Sequence, residues 1–292
     1  MATVTLERLD RGLVAERTTD RAVLRAFLEQ DRLFSAYAIC DLDDREFPRT
    51  RWGVARSEGE VVAVVAEYEG PTPQPLFLLG RPEGLATILG SVVRPWLAYA
   101  AVLPEHLAAV ERRYQVSPGP QMIRMWVDRK SFVPADTAGV ARLGGSDAPD
   151  LNRLYHLGFG SWLPAQQVRD GVYSGIRVRG QLVAAAGTHV VSPSSRLAVV
   201  GNVLTDAAFR GRGYATSVTS AVTAELLAFC DHVVLNVRAD NPPALAAYRR
   251  LGYAEHVRFE ERLVRRRGAP WSEFLETLRR RLSQTSKEPT PR

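Results

Sequence analysis

The stretch that decides the fold is LAVVGNVLTDAAFRGRGYAT, residues 197–216. Its first part, Leu197–Leu204, is almost entirely apolar, which is typical of a strand buried on both faces. After the loop Thr205–Phe209 and two glycines, apolar residues recur at spacings of three and four, which predicts an amphipathic helix from Ala215. The run Val233–Val237 then supplies a parallel strand. The sequence therefore predicts a strand, a glycine loop, a helix and a second strand in that order.

Such an arrangement can form an anion site, because unpaired backbone N–H groups and the positive end of the helix dipole meet at one point. Gly211 and Gly213 would let the backbone approach a ligand closely, and Arg210 and Arg212 would add donors for phosphate oxygens. A pyrophosphate is the expected guest. The alternative is a helix start whose glycines only turn the chain. Thr216 stands where the dinucleotide-binding loop needs a third small residue, so that loop is not predicted.

A second pattern follows the parallel strand. Asn241 precedes two prolines and is placed to cap a short helix, and Gly252 follows its end. Asn241 and Tyr248 lie seven residues apart, which is two helical turns, so both point roughly the same way. Tyr248 would then meet the reactive end of a ligand held by the glycine loop, or it is an interior aromatic packed on Leu245 and Leu251.

With both patterns in order, the chain resembles the GCN5-related N-acetyltransferases (GNAT), which transfer an acetyl group from acetyl-CoA to an amine. The cofactor signature of that family is met by Arg210, Gly213 and Ala215. Its later pattern is met by Asn241, Ala244, Tyr248 and Gly252. The resemblance covers about residues 141–264 clearly, and the first half only as a degenerate copy that lacks the phosphate loop.

The resemblance implies an α+β or α/β fold of two tandem GNAT-like domains, each a mixed, mostly antiparallel sheet flanked by helices. The order of predicted elements in residues 1–130 recurs in the second half, which agrees with this expectation. We expect a degenerate domain at 1–133, a catalytic acetyl-CoA-binding domain at 134–268, and a C-terminal segment at 269–292. That last segment would contain an amphipathic helix at 271–282 and a disordered tail.

The resemblance also implies roles for individual residues. The backbone of Val203, Leu204 and Thr205 would pair with the pantetheine arm, and the Val203 amide would polarise the thioester carbonyl. Tyr248 would donate a proton to the departing CoA thiolate, and Asn241 would contact the pantetheine or cap its helix. The pyrophosphate would be held by consecutive backbone amides, those of Arg210, Gly211, Arg212, Gly213, Tyr214, Ala215 and Thr216.

The resemblance does not identify the general base as directly as it does the other residues. Members of the family often carry a glutamate near the start of this strand, where residues 198–200 here are Ala-Val-Val. If residues 181–191 and 197–205 form a hairpin, position 189 faces position 199. This makes His189 the candidate base, with Asn202 as an orienting group. The alternative is a structural histidine.

The acceptor amine is left open by the sequence. Loop positions that usually wall the acceptor site in this fold nominate Phe159, Trp162 and Tyr173, which could equally be core or loop anchors. A small-molecule amine, an amino acid, a peptide N-terminus and a protein lysine all fit.

Composition narrows the possible compartments, cofactors and partners. The 292 residues suffice for two domains, and two distant cysteines suggest neither disulfides nor a metal site. No apolar run reaches the ~20 residues that a membrane span needs, and no secretion signal is visible, so we expect a cytoplasmic protein without a membrane partner. The net charge of +6 is spread over scattered arginines without a nucleic-acid reader motif, which disfavours nucleic-acid binding. A non-catalytic acyl-CoA-binding or regulatory module is the main alternative, and the oligomeric state is open.

Overall fold

The computed structural model describes residues 12–70, 72–156 and 162–268. These residues divide into two units, which are described separately. Unit 1 contains residues 12–122 and 258–268, and unit 2 contains residues 123–257. The expected C-terminal helix at 271–282 lies outside the described residues.

Unit 1 is built around antiparallel strands with one parallel pair. Its elements are β1 (Leu13–Arg17), α1 (Arg21–Leu28), α2 (Ala36–Cys40), β2 (Thr50–Ser57), β3 (Glu60–Tyr68), β4 (Gln74–Gly80), α3 (Pro82–Ser91), β5 (Leu97–Val102), α4 (Leu107–Glu111) and β6 (Tyr114–Val116). Strands β1 to β4 pair antiparallel in sequence order, and β4 pairs parallel with β5. The two-residue turn between β2 and β3 has positive φ at Glu58 and Gly59, as a tight hairpin requires.

Unit 2 repeats this order. Its elements are β7 (Gln121–Val127), β8 (Val140–Arg142), α5 (Ala148–Leu154), α6 (Ala165–Asp170), β9 (Ser174–Val178), β10 (Gln181–Ser192), β11 (Leu197–Thr205), α7 (Tyr214–Leu227), β12 (His232–Arg238) and α8 (Pro242–Arg250). The last strand, β13 (Ala254–Arg266), begins in unit 2, and its residues from Arg258 onward belong to unit 1. Strands β8 to β11 pair antiparallel, β11 pairs parallel with β12, and β7 lies next to β12. The predicted apolar face of α7, with Val218, Val222 and Leu226, is buried in the core of this unit.

The last strand of the chain completes the sheet of unit 1. Residues 260–265 of β13 pair antiparallel with β5 over Leu97–Val102, and residues 264–266 pair with β6. The sequence-based domain limits at 133 and 268 differ from this division, because they assign the whole of β13 to the second half. A strand carries no local signal of which sheet it joins.

The sequence prediction did not include helix α2 or the strands β1, β6, β8 and β13. All of these except β13 have only three to five residues, too few for a clear periodic pattern. None of the helices in the described residues is long and apolar enough to cross a membrane.

Candidate cofactor and catalytic site

The proposed ligand site begins where two parallel strands separate. Strands β11 and β12 are in register from Leu197 opposite His232 to Val200 opposite Leu235. Both strands continue beyond this point, to Thr205 and to Arg238, without further pairing between them in the described residues. On its other edge, β11 stays paired with β10 as far as Thr205. The backbone of residues 203–205 therefore borders an opening, where an extended ligand could pair as a strand does.

The glycine loop follows directly at residues 206–213. Asp206 begins it, and its side chain accepts a hydrogen bond from the Ala208 amide at 2.9 Å. Gly211 and Gly213 have φ of +77° and +81°, which side chains rarely tolerate, and no atom beyond the adjoining residues lies within 4 Å of the position of a Cβ at either residue. These glycines both bend the loop and leave open space above it.

Helix α7 starts from this loop with its N-terminus uncapped. Gly213 is the N-cap residue and offers no side chain to the first-turn amides, and no acidic residue occupies the first turn. The first amides of a helix have no acceptor within the helix, so those of Tyr214, Ala215 and Thr216 are available to an anion. This is the geometry that the sequence pattern predicts for a pyrophosphate site.

The two arginines of the loop are exposed and each contacts the loop itself. Arg210 Nε donates to the Thr205 carbonyl at 3.2 Å, and the Arg212 guanidinium lies 5.4 Å from the centre of the Phe209 ring. Arg210 thus ties the loop to the end of β11. The role of their side chains as phosphate donors stays a prediction.

Helix α8 holds the predicted acid. Asn241 caps this helix, because its side-chain oxygen accepts from the Ala244 amide at 3.3 Å. Tyr248 is 7% exposed and its ring centre lies 6.0 Å from that of Tyr253. Burial alone raises the pKa of Tyr248 to about 12, so its phenol is protonated at neutral pH. A protonated phenol is what a proton donor requires, although Tyr248 also packs in the core of unit 2.

Gly252 closes α8 for a steric reason. Its φ is +87°, and a Cβ there would lie 1.9 Å from the Ser131 carbonyl oxygen. No residue with a side chain fits this contact without backbone movement, so the glycine at the end of the Asn/Tyr pattern fixes how α8 ends.

The predicted pairing of His189 with position 199 is wrong. Thr188 is opposite Val200 and Val190 is opposite Val199, so His189 is the extra residue of a β-bulge. The imidazole instead lies against Gly201, where a Cβ would come within 2.2 Å of Nε2. The sequence alone predicts an unbroken hairpin, because no sequence pattern marks the bulge.

Asn202 lies at a second bulge, on the facing strand. Gly187 is opposite Gly201 and Ala185 is opposite Leu204, so Asn202 and Val203 together oppose one residue of β10. Asn202 has φ of +53°, a conformation in which Asn is enriched. Its side-chain Nδ2 donates to the Tyr173 hydroxyl oxygen at 3.3 Å, and its orienting role toward His189 stays a prediction.

The environment of His189 favours its neutral form. The residue is exposed at the surface; local desolvation of the imidazole lowers the pKa of His189, and Asn202 acts in the opposite direction. A histidine whose pKa lies below its ordinary value is unprotonated at neutral pH and can accept a proton.

The three aromatic residues nominated for the acceptor wall have different outcomes. Tyr173 is fully buried and its hydroxyl donates to the Thr188 carbonyl at 2.9 Å, so the expectation that it lines an open wall is wrong. Its ring packs on Gly187, where a Cβ would lie 2.1 Å away. Trp162 is 65% exposed. Phe159 lies outside the described residues.

No group of three or more His, Cys, Asp or Glu side chains that could hold a metal ion occurs in the part of the chain that the structure describes.

Units 1 and 2 have the same order of strands and helices, and unit 2 also has a glycine loop where two parallel strands separate. This arrangement defines a tandem GNAT fold. Comparison with known proteins agrees. The family described as FR47-like protein matches residues 173–263, which cover β9 to α8 and most of β13. No curated protein matches the chain.

Solved structures show the same fold over most of the chain. A GNAT-family acetyltransferase structure from Novosphingobium aromaticivorans has 24% identity and a TM-score of 0.52, covering 69% of this chain and 88% of that one. A tandem GNAT protein from the clavulanic acid biosynthesis pathway has 18% identity and a TM-score of 0.54, with coverage of 88% and 99%. A GCN5-related N-acetyltransferase from Sphaerobacter thermophilus has 14% identity and a TM-score of 0.60, with coverage of 88% and 97%. The predicted tandem GNAT-like fold class is thereby confirmed.

Proposed function

We propose that this protein is an N-acetyltransferase that moves the acetyl group of acetyl-CoA directly to a primary amine. The observation that carries the proposal is the opening between β11 and β12, followed at once by the uncapped, glycine-bordered N-terminus of α7. A ligand that suits both parts has an extended amide-bearing arm joined to a pyrophosphate, and acetyl-CoA has this form.

In the proposed complex, the backbone of Val203, Leu204 and Thr205 pairs with the pantetheine arm, and the Val203 amide donates to the thioester carbonyl oxygen. The amides of residues 210–216 hold the pyrophosphate at the helix N-terminus. Hydrogen bonding to the carbonyl oxygen stabilises the negative charge that develops there when the amine attacks.

The reaction balances with one base and one acid. The amine nitrogen attacks the thioester carbonyl carbon, the carbon–sulfur bond breaks, and the products are an N-acetyl amide and CoA thiol. His189 takes the proton that the amine loses, and Tyr248 gives the proton that the thiolate gains. The lowered pKa of His189 and the raised pKa of Tyr248 place each in the protonation state that its role needs at neutral pH.

A second function is favoured by two observations. Tyr248 packs with Leu245 and Leu251 in the core, and residues 198–200 carry no carboxylate. A protein that binds acyl-CoA as a ligand without transferring the acyl group would tolerate both features. It would bind acetyl-CoA but acetylate no amine.

Transfer is tested by incubating the full chain with acetyl-CoA and a panel of diamines, amino acids, amino sugars and lysine-containing peptides. CoA thiol release and the mass of each amine are measured together. We expect a mass gain of one acetyl group on at least one amine class, matched by thiol release. The panel also decides among the small-molecule, peptide and protein acceptors that the sequence left open.

A matched pair of variants shows whether the proposed loop is responsible. Gly213→Asp places a carboxylate in the pyrophosphate site, whereas Gly180→Asp makes the same change at another open glycine with φ of +83°. We expect Gly213→Asp to lose transfer and Gly180→Asp to retain it, because like charges brought together cost several kcal/mol. Equal loss in both variants would count against the assigned loop, and binding without transfer to any amine would favour the binding module.

A further inference from the structure

One hydroxyl group of unit 2 contacts the peptide group that the proposed reaction uses. Tyr155 directly follows the last residue of α5, and its hydroxyl oxygen lies 2.7 Å from the carbonyl oxygen of Asn202. That carbonyl and the N–H of Val203 belong to the same peptide group. A carbonyl oxygen can only accept, so the Tyr155 hydroxyl donates to it. The phenol is therefore bonded to the opposite end of the peptide whose N–H is proposed to polarise the thioester carbonyl.

Tyr155 is itself held in place by the interior of unit 2. Its backbone amide donates to the Leu151 carbonyl at 2.9 Å, which continues the bonding pattern of α5. Its side chain packs against a buried cluster that includes Tyr173 and Ala185. Burial raises the pKa of the Tyr155 phenol, so the hydroxyl keeps its proton at neutral pH. The hydrogen bond to Asn202 thus comes from an anchored group that stays a donor.

The Asn202–Val203 peptide lies where the regular pairing of β11 is interrupted on both edges. Asn202 has φ of +53°, and Asn202 and Val203 together oppose one residue of β10, so the ladder with β10 is broken at the bulge. On the other edge, the register of β11 with β12 ends at Val200. A strand ladder normally fixes the orientation of each peptide group, so here another contact has to do so.

We propose that Tyr155 is a positioning residue that holds the Asn202–Val203 peptide with its N–H directed into the opening between β11 and β12. The peptide is trans, so its N–H points away from the carbonyl oxygen that Tyr155 holds. Helix α5 packs on β10, which borders β11 on the edge away from β12. This rests on the proposed function, in which the Val203 N–H donates to the thioester carbonyl oxygen. Tyr155 acts through the peptide and does not touch the substrate.

The contact has two consequences for acyl transfer. A donor that is oriented before the substrate arrives needs no reorganisation when negative charge develops on the thioester oxygen. A hydrogen bond to the carbonyl oxygen of a peptide also polarises its N–H, which makes that N–H a stronger donor. Loss of the Tyr155 hydroxyl should therefore slow transfer without weakening the binding of acetyl-CoA.

Isotope labelling isolates this peptide within the full chain. The dipeptide Asn–Val occurs twice in the sequence, at 202–203 and at 236–237. With carbon-13 at the asparagine carbonyl and nitrogen-15 in valine, NMR shows one coupled amide from each dipeptide. Val237→Ile removes one of the two signals, which identifies the signal of the Asn202–Val203 peptide. In all other samples the 236–237 peptide serves as an internal reference.

The first comparison is made without ligand. Tyr155→Phe keeps the ring but removes the hydroxyl, and we expect the Asn202 carbonyl carbon to move upfield, as a carbonyl does when it loses a donor. Tyr253→Phe is the matched control, because it removes a buried hydroxyl that bonds the Thr223 hydroxyl instead. It should leave the Asn202–Val203 signal unchanged. The amide spectrum of each variant verifies folding.

The second comparison uses acetyl-CoA and CoA, since CoA lacks the acetyl carbonyl. In the wild type we expect the Val203 amide proton to lie further downfield with acetyl-CoA than with CoA. This difference should shrink in Tyr155→Phe.

Turnover separates a positioning role from a structural one. In Tyr155→Phe we expect kcat to fall roughly 10-fold at unchanged KM for acetyl-CoA, which is less than the roughly 100-fold or more lost with a whole oxyanion donor.

The proposal is overturned if the Asn202 carbonyl shift or kcat is the same in Tyr155→Phe as in the wild type. It is also overturned if the wild-type Val203 amide responds equally to acetyl-CoA and CoA, a comparison that needs no variant to fold. Failure of the proposed function is a separate result. If neither ligand binds or no amine is acetylated, the ligand-free comparison still shows whether Tyr155 holds the peptide.

Discussion

The two units contain the same strand–helix–strand segment, but the connections differ. In unit 1, only Arg81 separates β4 from α3, whereas in unit 2 residues 206–213 separate β11 from α7. The turn of unit 1 is closed, because a Cβ on Gly80 would lie 2.3 Å from the Val62 carbonyl oxygen, and that oxygen accepts the Arg81 amide at 2.8 Å. Gly211 and Gly213 in unit 2 have open space above them.

The first turns of α3 and α7 also differ in how well they could accept an anion. Helix α3 begins with Pro82, which has no N–H, and carries Glu83 in its first turn. Helix α7 begins with neither a proline nor an acidic residue. A carboxylate at a helix N-terminus already balances the dipole there, which leaves less for an external anion. The comparison teaches that the segment provides the fold in both units, and we propose that the loop and first turn decide whether an anion can bind.

The largest expected effect comes from making α7 resemble α3. Ala215 occupies the second position of α7, as Glu83 does in α3. We expect Ala215→Glu to stabilise the helix by roughly 0.3–1 kcal/mol through the dipole, yet to abolish acetyl-CoA binding by placing a carboxylate against the pyrophosphate. Thermal unfolding and calorimetric titration measure the two effects. Loss of binding together with loss of stability would mean only that the variant is damaged.

Glu83→Gln in unit 1 is the counterpart. Its turn stays closed by Gly80 and Pro82, so acetyl-CoA binding to the whole chain should match the wild type in affinity and stoichiometry. A newly gained site would show that charge alone, and not loop geometry, separates the two units.

A smaller effect is expected at Tyr248. Tyr248→Phe keeps the packed ring but removes the proposed proton donor, so we expect kcat to fall roughly 100-fold with acetyl-CoA affinity unchanged. Tyr253→Phe is the control, because it removes a neighbouring buried hydroxyl that bonds the Thr223 hydroxyl at 2.8 Å. That variant should lose about 1 kcal/mol of unfolding free energy and keep its kcat. An unchanged kcat in Tyr248→Phe would remove Tyr248 from the mechanism.

The smallest effect is expected for the pH dependence of stability, at His106 beside the closed turn of unit 1. His106 is buried, its Nε2 donates to the Gly80 carbonyl at 3.0 Å, and its Nδ1 is buried without a hydrogen-bond partner in the described residues. Burial is the main cause that lowers its pKa. Between that lowered pKa and the ordinary value of 6.5, the unfolded chain binds the proton and the folded chain does not. Stability should therefore fall as pH falls through this window.

Chemical unfolding at a series of pH values from 7 to 5 checks this, with His106→Gln as the comparison. Glutamine keeps a donor for Gly80 and does not titrate, so its unfolding free energy should vary less with pH over this range. Identical pH profiles in the wild type and in His106→Gln would contradict the claim that His106 causes this pH dependence of stability.

Local sequence patterns sufficed for most elements and for the glycine loop, since apolar periodicity and the glycines are local signals. They did not suffice for β13, because its pairing with β5 joins distant parts of the chain. Nor could they place His189, whose position depends on a bulge, or reveal that Tyr173 is buried against Gly187. That Tyr173 packs on Gly187 and His189 on Gly201 is visible only in the folded chain.

The most direct measurement is calorimetric titration of the full chain with acetyl-CoA, in the wild type and in Gly213→Asp and Gly180→Asp. The account predicts one acetyl-CoA per chain in the wild type and in Gly180→Asp, and binding weakened at least about 100-fold, or roughly 3 kcal/mol, in Gly213→Asp. Two sites per chain would contradict the contrast between the units, and no binding by the wild type would contradict the acetyltransferase proposal itself.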